Sequence, residues 1–501
     1  MSTMGDQTTA ARIAQELKNR VGFHTAAVVA AVAVLTLTVL VGPLIALIVV
    51  AVVVVLLVLA ARPHWSIYAT IFLGLTTFPA FIPYQFQIGP TTIFSYEPAL
   101  IIAAAWAFLG RKPASGVLLR VSLLVVIVVA WGAAGVIQRY PGIEVIGDAR
   151  GLINVALCAV VAAVVFGSSL ITPVLRALLV SLWISAAVTL VSSVSGLSVV
   201  GRSEDAGLVF INGVSTSSSA TRLLTPASEV AVLVVCACVA LFMMGRFRLA
   251  LPFFVPALLI TGLGFSRNSV LAIAAAALFA LLLAGNKRSF AAVLKLLLAI
   301  AAVSGLVALG AAAGLPGTTY IVTQVQGFVT RVVEGLGSTA ISLDSSAIAR
   351  ESENRYALQA IQNAPVFGHG LGFAYRPPYG PVGSFSATKG QFYAHNFYLW
   401  TLVKAGAVGL LIFLLAVLVP VVAVAKGRSR VGIMLSSTGL GLLASLAFAP
   451  FVNDPDNGGS LAVGVIIGAV YGCVVRGREA GVRTIEIGDE ASQLQSVRAG
   501  L

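Results

Sequence analysis

From Val21 to the C-terminal tail the sequence keeps returning to apolar runs of about twenty residues, each long enough to cross a hydrocarbon core of ~30 Å as a helix. Short polar breaks separate them. With 59% hydrophobic and 10% charged residues and a mean hydropathy of +1.01, the composition excludes a water-soluble fold. A barrel is excluded too, because it needs ~10-residue stretches of alternating polarity, whereas a run such as Leu44 to Ala61 is apolar on every face. The expected fold is therefore an all-α integral membrane protein.

Taking the breaks as loops gives about fourteen spans, near 22–41, 44–61, 66–82, 96–110, 116–137, 151–167, 172–193, 227–245, 249–265, 269–285, 289–313, 396–419, 431–450 and 459–475. The organisation is then a 1–21 tail, eleven spans over 22–313, a large partly helical loop over 314–395, three spans over 396–475, and a 476–501 tail. Basic residues beside a span resist translocation. Arg12, Lys18, Arg20, Arg62, Arg111, Lys112, Arg246, Arg248, Lys287, Arg288, Lys426, Arg428, Arg430, Arg476 and Arg478 fall on one face if every span crosses. Both termini are thus expected on the cytoplasmic side of the inner membrane, with 314–395 outside. The net charge of +13 then reflects topology and an anionic leaflet, and no nucleic-acid partner is expected.

The first twenty residues are polar, so the first span reads as a retained anchor rather than a cleaved signal. Cys158, Cys236, Cys238 and Cys473 all fall in or beside spans, and neither a disulfide nor a zinc site is expected from them. His24 and His64 sit at the cytoplasmic ends of spans, as interfacial residues do.

The cytoplasmic loops are short, whereas 194–226 and 314–395 are long, so the working surface is expected outside. Within the longer segment, Ser345 to Asn363 reads as a helix with apolar Ile348, Tyr356 and Ile361 set to lie against the membrane surface. Pro365 ends it, and Gly368, Gly370, Gly372 and Pro377-Pro378 make a turn-rich passage to the next span. Charges at outer span ends need solvent, a partner or a ligand. Arg150 opens the sixth span, Arg222 precedes and Glu229 enters the eighth, Arg267 lies between the ninth and tenth, and His395 opens the twelfth. Snorkelling to the interface explains any one arginine equally well. It explains Arg267 less well, because the break Gly-Phe-Ser-Arg-Asn-Ser is short and lies on the side where topology disfavours arginine.

His395-Asn396 is followed by nine residues, Gly406, two residues and Gly409. This spacing at the start of a span, after a large outer loop, resembles the O-antigen ligase and O-antigen polymerase superfamily. Arg355 to Pro365, the Gly368-His369-Gly370-Leu371-Gly372 turn, and Ser266-Arg267 before an apolar helix extend the resemblance over roughly 200–450. It implies a membrane glycosyltransferase that moves a glycan from a polyprenyl-diphosphate carrier to an acceptor hydroxyl on the outer face, with no metal and no nucleotide sugar. Arg267 and His395 match that family's outer-face arginine and loop histidine. Arg222 is the candidate for its second diphosphate-binding arginine, with Arg202 or Arg150 as alternatives; Arg355, Asn396 and Tyr398 are further candidate contacts. About twelve spans are usual there, and the N-terminal pair is the surplus.

The chemistry of the residues agrees with this. A diphosphate leaving group needs its charge neutralised, and a guanidinium meets its oxygens bidentately. An acceptor hydroxyl needs a base, and His395 is placed for that role. Direct displacement inverts the anomeric centre; a covalent intermediate would need a carboxylate, for which Glu229 is the candidate, and inversion is the simpler course. His369, between two glycines, reads as a turn residue rather than a second base. Asp454-Pro455-Asp456 reads either as a solvated turn or as a divalent-cation site. Tyr393, Phe397, Tyr398 and Trp400 fit sugar stacking and an interfacial belt equally. The donor is expected to be a polyprenyl-diphosphate-linked glycan and the acceptor a glycan, a lipid or a wall polymer. A lipid-linked glycan flippase is the alternative, which should show repeated halves and interrupted, charge-bearing helices, and a non-catalytic scaffold is a third reading.

Overall fold

The computed structural model describes residues 58, 61–88, 91–111, 113, 115–205, 209–211, 214–216, 220–285, 287–315, 317–329, 332, 345–379, 387–426, 429–450, 452–453 and 458–473. The first expected span, nearly all of the second, the 476–501 tail, Asp454 and Asp456 lie outside these. The chain divides into two compact units, Met1–Trp65 and Ser66–Leu501. In the first, the Arg62 guanidinium lies over the Trp65 ring at 5.4 Å.

Among the described residues the helices are α1 Trp65–Leu75, α2 Tyr96–Arg111, α3 Ser115–Ile137, α4 Gly142–Phe166, α5 Ile171–Ser195, α6 Ser228–Met243 and α7 Phe247–Leu263. They continue with α8 Arg267–Ala284, α9 Lys287–Ala312, α10 Thr318–Phe328, α11 Ser345–Asn363, α12 Phe397–Lys426, α13 Arg430–Ser445 and α14 Gly459–Cys473. Five of them, α3, α4, α5, α8 and α12, are long and apolar enough to cross a membrane, and α1, α6, α7 and α14 are shorter apolar helices.

Small residues let the buried helices approach closely, which substitutes for a hydrophobic driving force inside a bilayer. On α14 Gly464, Gly468 and Gly472 stand four residues apart; a Cβ at Gly468 would lie 2.3 Å from the Ala159 carbonyl of α4. On α8 Ala272, Ala276 and Ala280 form the matching stripe, and a Cβ at Gly441 of α13 would come within 2.6 Å of the Ala272 carbonyl.

Two expected boundaries are corrected. The 66–82 span is an eleven-residue helix ending at Leu75. Beyond it Thr76 and Thr77 leave the helical path, and their polar groups are taken by neighbours: Thr76 Oγ1 meets Ser181 Oγ at 2.7 Å, and Thr77 N donates to Ser185 Oγ at 2.9 Å. The sixth span begins at Gly142 instead of 151, so Arg150 lies in its third turn and does not open it. Glu144, Asp148 and Arg150 read as a polar break, yet two of these charges are neutralised inside the protein by Lys404 and Glu97.

The connections between helices also contain strands that an all-helical reading omits. Among the described residues they form three two-stranded antiparallel sheets: β1 Gln85–Ile88 with β2 Thr91–Phe94, β3 Arg202–Asp205 with β6 Thr221–Leu224, and β4 Val209–Ile211 with β5 Val214–Thr216. The backbone register sets Glu204 opposite Arg222 across β3 and β6, and β6 leads into α6 four residues after Leu224.

Candidate active site

The Gly-rich turn and the start of α12 form one unit. Gly406 breaks α12 with φ 64° and ψ −169°, nine residues beyond the helix start at Phe397. A broken helix leaves backbone donors and acceptors unpaired, which is tolerated at membrane depth only where protein satisfies them. Here the turn does so from both sides. Ala407 N donates to Pro365 O at 2.9 Å and Val408 N to Val366 O at 3.1 Å, while His369 N donates to Val403 O at 2.9 Å and Gly370 N to Lys404 O at 2.8 Å. The backbones meet so closely that a Cβ at Gly368 would lie 2.6 Å from Gly406 N. This explains the first glycine of the His-Asn-x9-Gly-x-x-Gly spacing. The second, Gly409, faces Trp131, and a Cβ there would strike Ala405 Cβ at 2.1 Å. His369, with Nε2 2.9 Å from Ala360 O and its ring stacked on Phe373 at 4.1 Å, sits as a turn residue does.

Two buried ion pairs hold this unit. Lys404, fully buried in α12, donates to Asp148 Oδ2 at 2.7 Å and to Phe373 O at 2.8 Å, and Gly372 N donates to the same Asp148 oxygen at 2.6 Å. Glu353 of α11, 5% exposed in its side chain, accepts from Arg376 Nη1 at 2.9 Å through Oε1. Its Oε2 lies 2.7 Å from His395 Nδ1 and accepts from the His395 backbone N at 3.3 Å. Burial alone would raise the Glu353 carboxyl, but the His395 hydrogen bonds and charge, with the Arg376 charge, outweigh it and hold the group below its ordinary value. Burial followed by the Glu353 and Asp148 charges pushes the nearby Tyr375 phenol well up, so it stays protonated. The His395 side chain is one-third exposed, with Tyr393 edge-on at 5.2 Å.

Arg267 belongs to the same neighbourhood. It opens α8, half-buried, after Phe265, a buried aromatic at φ 42° that packs on Phe328. A positive φ in a bulky residue is a strained backbone. Arg222 Nε donates to Gly264 O at 3.1 Å, which sets its guanidinium beside the loop that presents Arg267. On the other side, Asn268 Nδ2 donates to Phe448 O at 3.1 Å and Phe397 N donates to Leu446 O at 3.0 Å. The helix starts carrying Arg267 and His395 therefore dock on one three-residue turn, whose ends are at most about 7.6 Å apart.

The remaining candidates hold contacts of their own. Arg150 is engaged with both Glu97 oxygens, with Thr92 O and with the Phe94 ring at 4.7 Å. Arg202 is exposed on β3, paired with Leu224. Arg355 makes a 3.6 Å surface pair with Glu351, both more than 70% exposed. Asn396 Oδ1 accepts from Tyr398 N and Leu399 N, capping α12, and Tyr398 donates to Leu443 O at 2.6 Å. Glu229 is half-buried in the first turn of α6. The α11 face that packs on α12 bears Glu353, Ala357 and Ala360, whereas Ile348 is 53% exposed.

Residues 252–414 match the O-antigen ligase family. The matched segment, about a third of the chain, runs from α7 into α12 and contains Arg267, Glu353, the Gly-rich turn, Arg376, His395, Lys404, Gly406 and Gly409. Arg222, Arg150 and Asp148 lie before it. The superfamily resemblance read from the sequence holds across this O-antigen ligase segment. No curated protein matches the chain. With the apolar helices, the match points to a multi-pass membrane protein that is similar to O-antigen ligases over residues 252–414.

Sequence reasoning missed Glu353, Arg376, Asp148 and Lys404. Two of them carried a signal: Lys404 is a charge inside an apolar run, and Glu353 stands at i, i+4, i+7 with Ala357 and Ala360 on one helix face; Asp148 sits in what reads as a polar break.

Proposed function

We propose that this protein is a glycosyltransferase that moves a glycan from a polyprenyl-diphosphate carrier to an acceptor hydroxyl at the outer face of the inner membrane, with both termini cytoplasmic and about fourteen spans. The observation that carries the reading is the docking of the Arg267 and His395 helix starts on the 446–448 turn, with Arg222 beside the Arg267 loop. Two guanidiniums and the N-terminal end of α8 supply positive charge and donors to a diphosphate without a metal ion. His395 Nε2 takes the acceptor proton as the acceptor oxygen attacks the anomeric carbon. The bond from that carbon to the diphosphate oxygen breaks, and the carrier diphosphate leaves with the electron pair. A single displacement inverts the anomeric centre, and Glu229 is not required as a nucleophile. The acceptor is a glycan, a lipid or a wall polymer.

One observation favours the flippase alternative: α12 is interrupted at Gly406 and carries the charge of Lys404. Against it, the interruption is closed by the loop backbone and the charge by Asp148, so both serve packing.

A strain lacking the protein should accumulate lipid-linked glycan and recover on complementation with wild type but not with Arg267→Ala. Accumulation confined to the cytoplasmic leaflet points to the flippase instead. Transfer by the purified protein should continue in EDTA, and loss restored by magnesium or manganese would contradict the metal-independent route.

A further inference from the structure

We propose that Glu353, held by Arg376, is a positioning residue that fixes the tautomer and orientation of His395; this rests on the acceptor-activating role given to His395 above. The geometry carries it. One carboxylate oxygen sits 2.7 Å from His395 Nδ1 and also accepts the backbone N–H of His395 at 3.3 Å, so ring and main chain are fixed to a single atom. The other oxygen is occupied by Arg376 Nη1 at 2.9 Å, which prevents the carboxylate from rotating away. Arg376 is in turn stacked over Tyr379 at 4.2 Å and buried.

An ionised carboxylate only accepts hydrogen bonds, so the neutral imidazole must carry its proton on Nδ1. Nε2 then presents a lone pair to the substrate side. When Nε2 takes the acceptor proton, the imidazolium forms beside a carboxylate already in place, and no reorganisation is needed at that moment. The charged and titratable groups around Glu353 are His395, Arg376 and Tyr375, and the carboxylate charge is retained among them. The pattern also accounts for α11, because a loop helix with an acidic residue on its buried face has otherwise no reason to bury it.

Full-length protein in nanodiscs, with histidines labelled on their ring nitrogens, tests this. His395→Ala identifies the signal among the four histidines. In wild type the His395 ring should be protonated on Nδ1. In Glu353→Gln, whose amide can donate to Nδ1, the other tautomer should dominate, and Glu353→Asp should restore the first in part.

Transfer is measured in parallel with lipid-linked glycan extracted from a strain lacking the protein. Glu353→Gln should lower kcat by about 10²-fold or more with little change in donor KM. It should add almost nothing in a His395→Ala background, which a purely structural role would not produce. An unchanged tautomer in folded Glu353→Gln, wild-type transfer despite a switched tautomer, or fully additive losses would overturn the proposal. If wild-type protein performs no transfer, the functional reading fails by itself, and the tautomer measurement still decides whether Glu353 positions the ring.

Discussion

A buried carboxylate between an imidazole and a guanidinium leaves a signature in stability as well as in rate. The Glu353 carboxyl titrates below its ordinary value of 4.5 in the folded protein. Its contribution to stability is therefore fully present above that value and is lost as the pH falls through the lower folded value. Thermal unfolding of wild type and Glu353→Gln, followed from pH 7 to pH 3, should show wild type the more stable at neutral pH and the gap closing below about pH 4.5. A constant gap across that range would mean that Glu353 is not ionised in its pocket. At this scale the sequence was informative where a residue type announced its chemistry. His395 and Arg267 stand out because charged or titratable side chains at the ends of apolar spans need a reason, whereas Glu353 was hidden among the polar residues of a helix expected to face solvent and membrane. Its burial comes from α12 packing on that face, and the local sign of it is slight: the small residues Ala357 and Ala360 at i+4 and i+7.

Among the elements, the interruption of α12 shows most clearly how a spacing becomes a structure. At φ 64° and ψ −169° Gly406 occupies a region nearly reserved for glycine, and a Cβ there would lie 2.3 Å from Val366 O. Gly406→Ala adds conformational strain to overpacking, together about 3 kcal/mol or more. It should lower thermal stability by that order and abolish transfer by displacing the start of α12. Gly142→Ala, where a Cβ meets nothing within 4 Å, is the matched control and should be near neutral. Equal behaviour of the two variants would remove the structural meaning assigned to the motif. Most helix ends from 96 onward follow the apolar runs within a few residues, because length and hydropathy dominate there. The exceptions are informative. The start of α4 was misplaced because Asp148 and Arg150 are paired across space, and α1 is cut short because Thr76 and Thr77 find hydroxyl partners on α5 and beyond β6.

For the whole molecule, the account requires that the 314–395 loop and the starts of α8 and α12 share the outer face, while the 427–430 segment faces the cytoplasm. A membrane-impermeant maleimide should label Thr388→Cys in intact cells and miss Arg430→Cys, in a background where Cys158, Cys236, Cys238 and Cys473 are alanine. The reverse labelling would invert the topology and the proposed mechanism with it. The central claim, that arginine handles the diphosphate donor and histidine the acceptor, is tested most directly by comparing donor binding with single-turnover transfer in folded, purified variants. Binding is measured with polyprenyl diphosphate, and transfer with lipid-linked glycan extracted from the strain that lacks the protein. Arg267→Ala removes a charge-assisted bidentate contact, so binding and transfer should both fall steeply, with Arg267→Lys recovering only part. His395→Ala should bind like wild type while transfer falls about 10²-fold or more. Loss of binding in His395→Ala with normal binding in Arg267→Ala, or wild-type transfer in both, would contradict the account.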